Sequence, residues 1–277
     1  MTQPIVVSLG EILWDMLPEG KRAGGAPVNF TYHASHNGSI GRSISAVGND
    51  SLGDELVAAV KNAGIDAIIQ RNDFPTGTVG VVLNDGIPTY EIVEGVAWDH
   101  IALTDELIDV VAQADAVCFG SLACREEESR NTLLELLKHT KPGALKYYDI
   151  NIRADYFSQE LIEEQLKAAT VFKINDDELE LLRPMFNVDG SDEEACAWFI
   201  KNYDLDYMIL TGGSRFSIIM HKDGEVSHVK TPRVKVNDTV GAGDSFSGTF
   251  TSEILRGTPL HEAHVRACNV AAYVCTQ

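Results

Sequence analysis

The chain is short of positive charge. Lys and Arg number 22 against 41 Asp and Glu in 277 residues, a formal net charge of −19 at pH 7. A surface of that sign repels nucleic acid and anionic membranes, so neither is an expected partner. Any phosphate-bearing ligand must be met by local devices: helix termini, a placed cation or a metal. Cysteine is scarce and odd in number: Cys118, Cys124, Cys196, Cys268 and Cys275, with no CxxC pair. That disfavours a disulfide framework or zinc ribbon and fits a reducing compartment. No apolar run reaches transmembrane length, and the N-terminal MTQPIVVSLGEILWDMLPEG has acidic residues where a signal peptide needs a basic region and an unbroken apolar one. The expectation is a cytoplasmic protein. Three motifs are also missing. GxxxxGK[ST] and GxSxG do not occur, and the near-match to GxGxxG at 241–246 has Phe246 at its third glycine. A P-loop enzyme, a nucleophile-elbow hydrolase and a nicotinamide enzyme are thereby disfavoured.

What is present is a regular alternation. Hydrophobic residues make up 44% of the chain, enough for one large core. IVVSLG, ISAVGND, DAVCFGS, ALKYYDI, TVFKIN and DYMILTGG read as buried strands. Helical patterns lie between them, among them PVNFTYHASHNG with Pro27 at its start, and SLGDELVAAVKNAG with Ser51 as candidate cap. The helix DDELELLRPMF is expected to stop near Pro184. Repeated βα units predict an α/β fold, a three-layer α/β/α sandwich with a mostly parallel sheet. Between Gly77 and Trp98 the pattern changes to two antiparallel strands turning at Asn84-Asp85-Gly86. We read one domain spanning 1–277, with a small β lid built from strands at about residues 11–23 and 77–98. The last helical pattern reaches Gln277 without a stop signal, as if the natural chain continued.

The stretch VNDTVGAGDSF at 236–246 places glycines at the start of a helix and a carboxylate one residue later. Amides around Gly241, Ala242 and Gly243 would point outward at the positive end of a helix dipole, a cup for phosphate oxygens. Asp244 beside that cup is placed to accept the proton of an alcohol attacking a phosphoryl group. Taken alone, Asp244 is equally well a helix cap.

DTVGAGDSF at 238–246 and GGAPVN at 24–29 together resemble the C-terminal signature and glycine-pair motif of the ribokinase-like (PfkB) sugar kinases. The likeness runs the length of the chain. GEILWD, YEIVEGVAWD and DINIR are most like the fructokinase branch. The resemblance implies a ribokinase-like fold, ATP and Mg²⁺ as cofactors, and a homodimer formed through the lids. Asp244 would be the base, with Gly241, Ala242 and Gly243 as the anion hole and Arg153 on the phosphates. Asp15, Gly24, Gly25 and Asn29 would meet the sugar, with Tyr90 and Trp98 packing on it or between subunits. Asn175 and Glu178 match the family's Asn-x-x-Glu motif, Glu178 acting on Mg²⁺ through water. Thr211 and Gly213 fall on the nucleotide loop and Asn269 on the adenine edge. The loop departs from the family pattern at Phe216, where a glycine is usual.

The activity implied is transfer of the γ-phosphoryl group of ATP to a primary hydroxyl of a free sugar, D-fructose first. Other small sugars such as ribose, or the sugar acid 2-keto-3-deoxygluconate, stay open, because Lys21 and Arg22 could meet a carboxylate. A silent sugar-binding regulatory protein is the alternative from another class. The pairs His33/His36 and His261/His264 do not bring enough ligands of suitable spacing to predict a structural metal.

Overall fold

The computed structural model describes residues 2–17, 20–84 and 87–277, with the side chains of residues 81–90 outside that description. The chain opens with β1 (Ile5–Leu9), then β2 (Leu13–Leu17), β3 (Gly20–Gly24), α1 (Ala26–His36), β4 (Ile40–Gly48) and α2 (Ser51–Asn62). Three strands follow, β5 (Asp66–Asn72), β6 (Thr78–Asn84) and β7 (Ile87–Ile92), and a 3₁₀ turn, Ala97–His100. The central run is α3 (Asp105–Gln113), β8 (Ala116–Gly120), α4 (Glu127–Lys138), β9 (Leu145–Asp149), α5 (Gln159–Ala168), β10 (Val171–Asn175), α6 (Asp176–Phe186) and α7 (Asp192–Tyr203). The last part holds β11 (Tyr207–Thr211), the hairpin β12 (Phe216–His221) and β13 (Val226–Lys230), then α8 (Ala242–Leu255) and α9 (Leu260–Val274).

Nine strands form the main sheet in the order β13-β12-β11-β10-β9-β8-β1-β4-β5. Every pair from β11 to β5 is parallel, and only the β12–β13 hairpin runs against its neighbours. The strands alternate sides with period two. Ala116 and Cys118 of β8, Tyr147 of β9 and Val171 of β10 face the layer of α1, α8 and α9. Val117, Phe119, Tyr148, Phe172 and Ile174 face the opposite layer, with Leu133, Leu166, Leu182 and Phe199 of the intervening helices. Both sheet faces are covered, which is why the strands read as continuous apolar runs. None of the described helices is long and apolar enough to cross a membrane.

The second sheet, β3-β2-β6-β7, is the lid. Its strands end at Ile92 rather than reaching Trp98, because the chain leaves the sheet after β7 to form the 3₁₀ turn. Strand β5 was not expected; it pairs only with β4 at the sheet edge, and its half-buried DAIIQRN lacks a clean alternation. Helix α6 covers the DDELELLRPMF stretch as read and ends at Phe186, two residues past Pro184, with the proline inside it.

The lid is pinned at both roots. At the first, Asp50 caps α2 in place of the expected Ser51, accepting the Gly53 amide at 2.7 Å. The same carboxylate accepts the Thr76 amide at 2.9 Å and hydroxyl at 2.6 Å, just before β6. At the second, Arg125 donates to both oxygens of buried Asp99, at 2.8 and 2.7 Å, and to the Val93 carbonyl at 2.7 Å, just after β7.

Partial burial opposes charge on Asp50, but the Thr76 hydroxyl, the Thr76 amide and the Gly53 amide outweigh it and hold the carboxyl below its ordinary range. A depressed folded value gives stability that is present above the unfolded value and lost as pH falls through the folded one. Asp50→Ala is therefore expected to lose about 1–2 kcal/mol at neutral pH, with the gap narrowing in acid. Urea denaturation at both pH values checks this; an unchanged midpoint at neutral pH would count against it.

Candidate active site

The site lies where ligands bind in open parallel sheets, beyond the carboxyl ends of the strands. Helix α8 begins there. Gly241 occupies its N-cap position at φ 76°, a left-handed conformation that suits a residue without a Cβ. Of the three amides expected to be free, that of Ala242 donates to the Thr239 carbonyl at 3.2 Å. Among the described residues the amides of Gly241, Gly243 and Asp244 have no such acceptor, so the cup is formed by these three.

Asp244 sits in the first turn, where Asn29 Nδ2 donates to its Oδ2 at 2.9 Å. Asn29, expected on the sugar, thus also orients the carboxylate. Burial pushes the Asp244 carboxyl up to about 6, with the Asn29 hydrogen bond pulling the other way. The pocket beside it, open to solvent, is lined by Glu11, Phe30, Cys118, Asp149, Asn151 and Asp244 among others. Glu11 is a site residue the sequence did not single out. Its Oε1 accepts the Ala26 amide at 3.1 Å, and burial pushes its carboxyl up to about 7. Asn151 is held at φ 43°, an uncommon conformation for a non-glycine residue and one that clusters at binding sites.

The glycine pair carries the lid root onto α1. Gly25 caps α1 at φ 131°, and a β-carbon there would overlap the Glu11 carbonyl oxygen. A β-carbon on Gly24 would meet the Asp15 carboxylate, which hangs from β2 across the same face. Burial raises the Asp15 carboxyl and Arg22 offsets it. Lys21 is bound to Glu55 at 2.5 Å and Arg22 lies 3.6 Å from Asp238.

The remaining residues separate into those near the cavity and those that are not. Arg153 follows β9 and is exposed, donating to its own neighbour's carbonyl, Ile152 O, at 3.0 Å. Among the described residues it has no ion pair. Asn175 and Glu178 make a reciprocal capping box on α6. Both Glu178 oxygens are engaged, Oε2 by the Asn175 amide at 2.7 Å and Oε1 by the Ile152 amide at 2.9 Å, and burial raises the carboxyl. Glu178 thus ties the segment carrying Arg153 to the start of α6. Thr211 ends β11, its hydroxyl 3.4 Å from Ile174 O, and Gly213 follows at φ 55°. The Phe216 ring covers Gly212, and Arg215 bridges to Asp176. Asn269 is exposed on α9.

Two aromatic assignments change. Trp98 is fully buried in the 3₁₀ turn, under the Arg125 guanidinium at 4.1 Å, so it braces the lid root and faces neither a sugar nor a partner. Tyr90 lies on β7 opposite Val81, and its side chain is outside the described residues, as are Asp85 and Gly86 of the expected turn. The second histidine pair also has another use: His264 is buried between Ser217 and Ser227, at 2.6 and 2.9 Å. Lys173 was missed as well. A lone ammonium inside TVFKIN, an otherwise apolar strand, is the sequence signal that would have flagged it, since buried charges are paired.

A parallel α/β core with a β lid, and a carboxylate beside unpaired helix amides at the sheet's carboxyl edge, define a ribokinase-like kinase. Residues 19–277 match the pfkB family carbohydrate kinase. A putative sugar kinase of Pyrococcus horikoshii is 30% identical over 272 residues, covering 91% of this chain and 83% of its own length. A fructokinase of Solanum tuberosum is 28% identical over 294 residues, 99% of this chain and 88% of that protein. The crystal structure of the P. horikoshii sugar kinase superposes with a TM-score of 0.84 at 27% identity, over 99% of this chain and 92% of that one. A fructokinase with bound ATP from Xylella fastidiosa has a TM-score of 0.83 at 20% identity, over 100% and 93%, a likeness of fold. The chain belongs to the pfkB family of carbohydrate kinases. It is a sugar kinase, a phosphotransferase with an alcohol acceptor.

The titration of Asp244 is directly measurable. Carbon-13 NMR of the free protein is expected to place it near pH 6, and Asn29→Ala to move it upward, because the bond that favours the charged form is gone. A titration that stays in place in the variant would show that Asn29 does not govern it.

Proposed function

We propose that this chain transfers the γ-phosphoryl group of ATP to a primary hydroxyl of a free neutral sugar, D-fructose giving fructose 6-phosphate. The observation that carries this reading is Asp244 at the cavity beside three unpaired amides, those of Gly241, Gly243 and its own. The residues 1–277 act as one kinase domain in the cytoplasm, with the four-stranded sheet as lid. The sugar lies against Gly24, Gly25, Asn29 and Asp15, with Tyr90 on the lid above it. Closure of the lid excludes water, which would otherwise accept the phosphoryl group.

Asp244 accepts the hydroxyl proton as the oxygen attacks phosphorus, which needs only a well-placed acceptor in a transition state of this kind. The amides and Arg153 stabilise the charge that gathers on the transferring group. Thr211, Gly213 and Asn269 hold the nucleotide, with the Phe216 ring taking the place of the usual glycine in shaping the loop. Asn175 and Glu178 fit a magnesium held through water, since each Glu178 oxygen accepts a single amide and keeps a lone pair. Bound there, magnesium would neutralise phosphate charge.

Fructose is favoured over a sugar acid by charge. Glu11, Asp149 and Asp244 line the cavity, and the two cations that could have met a carboxylate, Lys21 and Arg22, already have acidic partners. The fructokinase of S. tuberosum among the relatives supports the same branch. Ribose remains the neutral competitor.

The test is ADP release with Mg-ATP against fructose, ribose and 2-keto-3-deoxygluconate. Fructose alone is expected to turn over, and Asp244→Asn to lower kcat by about 10²–10⁴-fold with the fold intact. Near-normal turnover in that variant would sink the mechanism. Turnover of 2-keto-3-deoxygluconate in place of fructose would overturn the charge argument. The exposed lid strand β3 is proposed to pair with its copy in a homodimer. Light scattering at working concentration is expected to give twice 30.2 kDa, and a monomer mass would exclude it.

A further inference from the structure

Lys173 is a charged residue in the middle of a central parallel strand, 7% exposed. The period-two alternation of β10 turns it to the same side as Val171, towards α8, and the β9–β10 register sets it beside Asp149. Its Nζ donates to both Asp149 oxygens, at 2.9 and 2.8 Å. Ser247, on the first turns of α8, donates to the same Asp149 Oδ2 at 2.9 Å. A β-carbon built on Gly243 would lie 3.4 Å from the Lys173 Nζ, so the ammonium is directly behind the glycine cup, with no side chain interposed. Burial opposes its charge, yet Asp149 outweighs burial and keeps the ammonium protonated above its ordinary range.

A buried ion pair is a poor stability device, because apolar residues of similar volume often do as well or better. Its cost calls for another use, and its place supplies one. We propose that Lys173, fixed by Asp149 and Ser247, is a positioning residue of the phosphoryl-transfer site: a buried positive charge behind the cup that holds the first turn of α8 in place and favours the ionised form of Asp244. This rests on the reading of the site as a kinase centre. The groups facing Asp244 are Asn29 from α1, Glu11 after β1, Cys118 from β8, Asp149 and Arg153 around the end of β9, and Lys173 from β10. Among these, only Lys173 and Arg153 are cations, and Arg153 is exposed, so Lys173 is the one that solvent does not screen; Asp149 acts on Asp244 in the opposite sense, and Lys173 offsets it.

Lys173→Met is expected to lower kcat by about 10²-fold while leaving the sugar KM within about threefold, and Lys173→Arg to recover part of the loss. In the same variant the Asp244 titration, read by carbon-13 NMR in the free protein, should move upward. A purely structural lysine would change neither the titration nor the kcat-against-KM split. A folded Lys173→Met protein with wild-type kcat, or with the Asp244 titration unmoved, overturns the proposal. If the single variant does not fold, Lys173→Met with Asp149→Asn removes both charges together. That protein is expected to fold and to keep the low kcat; full activity in it overturns the proposal. The NMR readout is independent of turnover. A wild-type protein silent with every sugar, whose Asp244 titration still answers to Lys173, would defeat the kinase reading and leave the charge placement standing.

Discussion

The close contact of α1 with α8 is the constraint on which the site depends. Gly248 permits it: a β-carbon there would overlap the Phe30 carbonyl oxygen. Around that point the helices are laced by small polar side chains. Ser252 donates to Ala34 O at 3.1 Å, Ser39 to Ser252 at 2.8 Å, and Asn37 to Thr249 at 3.1 Å. With their axes held this near, Asn29 at the start of one helix reaches Asp244 at the start of the other. GGAPVN and DTVGAGDSF, whose Asn29 and Asp244 are 215 residues apart in sequence, become one hydrogen-bonded unit.

The electrostatics of the site follow from the scarcity of cations in this chain. Three carboxylates, Glu11, Asp149 and Asp244, share one small cavity. Neutral donors meet them: the Ala26 amide on Glu11, the Asn29 amide group on Asp244 and the Ser247 hydroxyl on Asp149. One buried ammonium, Lys173, adds a positive charge, yet burial still holds the Glu11 and Asp244 carboxyls above their ordinary range. Amides at a helix start suit this setting. They are oriented in advance and add donors without adding net charge to the pocket.

The lid obeys a different rule. Its roots are tied by Asp50 to Thr76 and by Arg125 to Asp99 and Val93, through short hydrogen bonds. Trp98 fills the space beneath the second root. Both ties fix the points where the sheet joins the α/β body.

The βα alternation, the nearly all-parallel sheet and the position of the glycine cup were legible in the sequence, because apolar runs, caps and turn residues are local signals. So was the family, since GGAPVN and DTVGAGDSF carry it in order. Other features were not. Ser51 and Asp50 are equally good caps by residue type, and Asp50 won because its second oxygen could also hold Thr76. Trp98 resembled a ligand platform until its burial beneath Arg125 was known. Glu178 matched a magnesium motif, while its two oxygens are engaged by the amides of Asn175 and Ile152, the latter from a distant segment. Glu11 and Lys173 gained their meaning only from neighbours on other strands. The sequence by itself determined the elements and the family, which rest on contacts within a few residues. Tertiary structure alone decided which charges meet and how strongly burial shifts them, because those depend on distances between segments far apart in the chain.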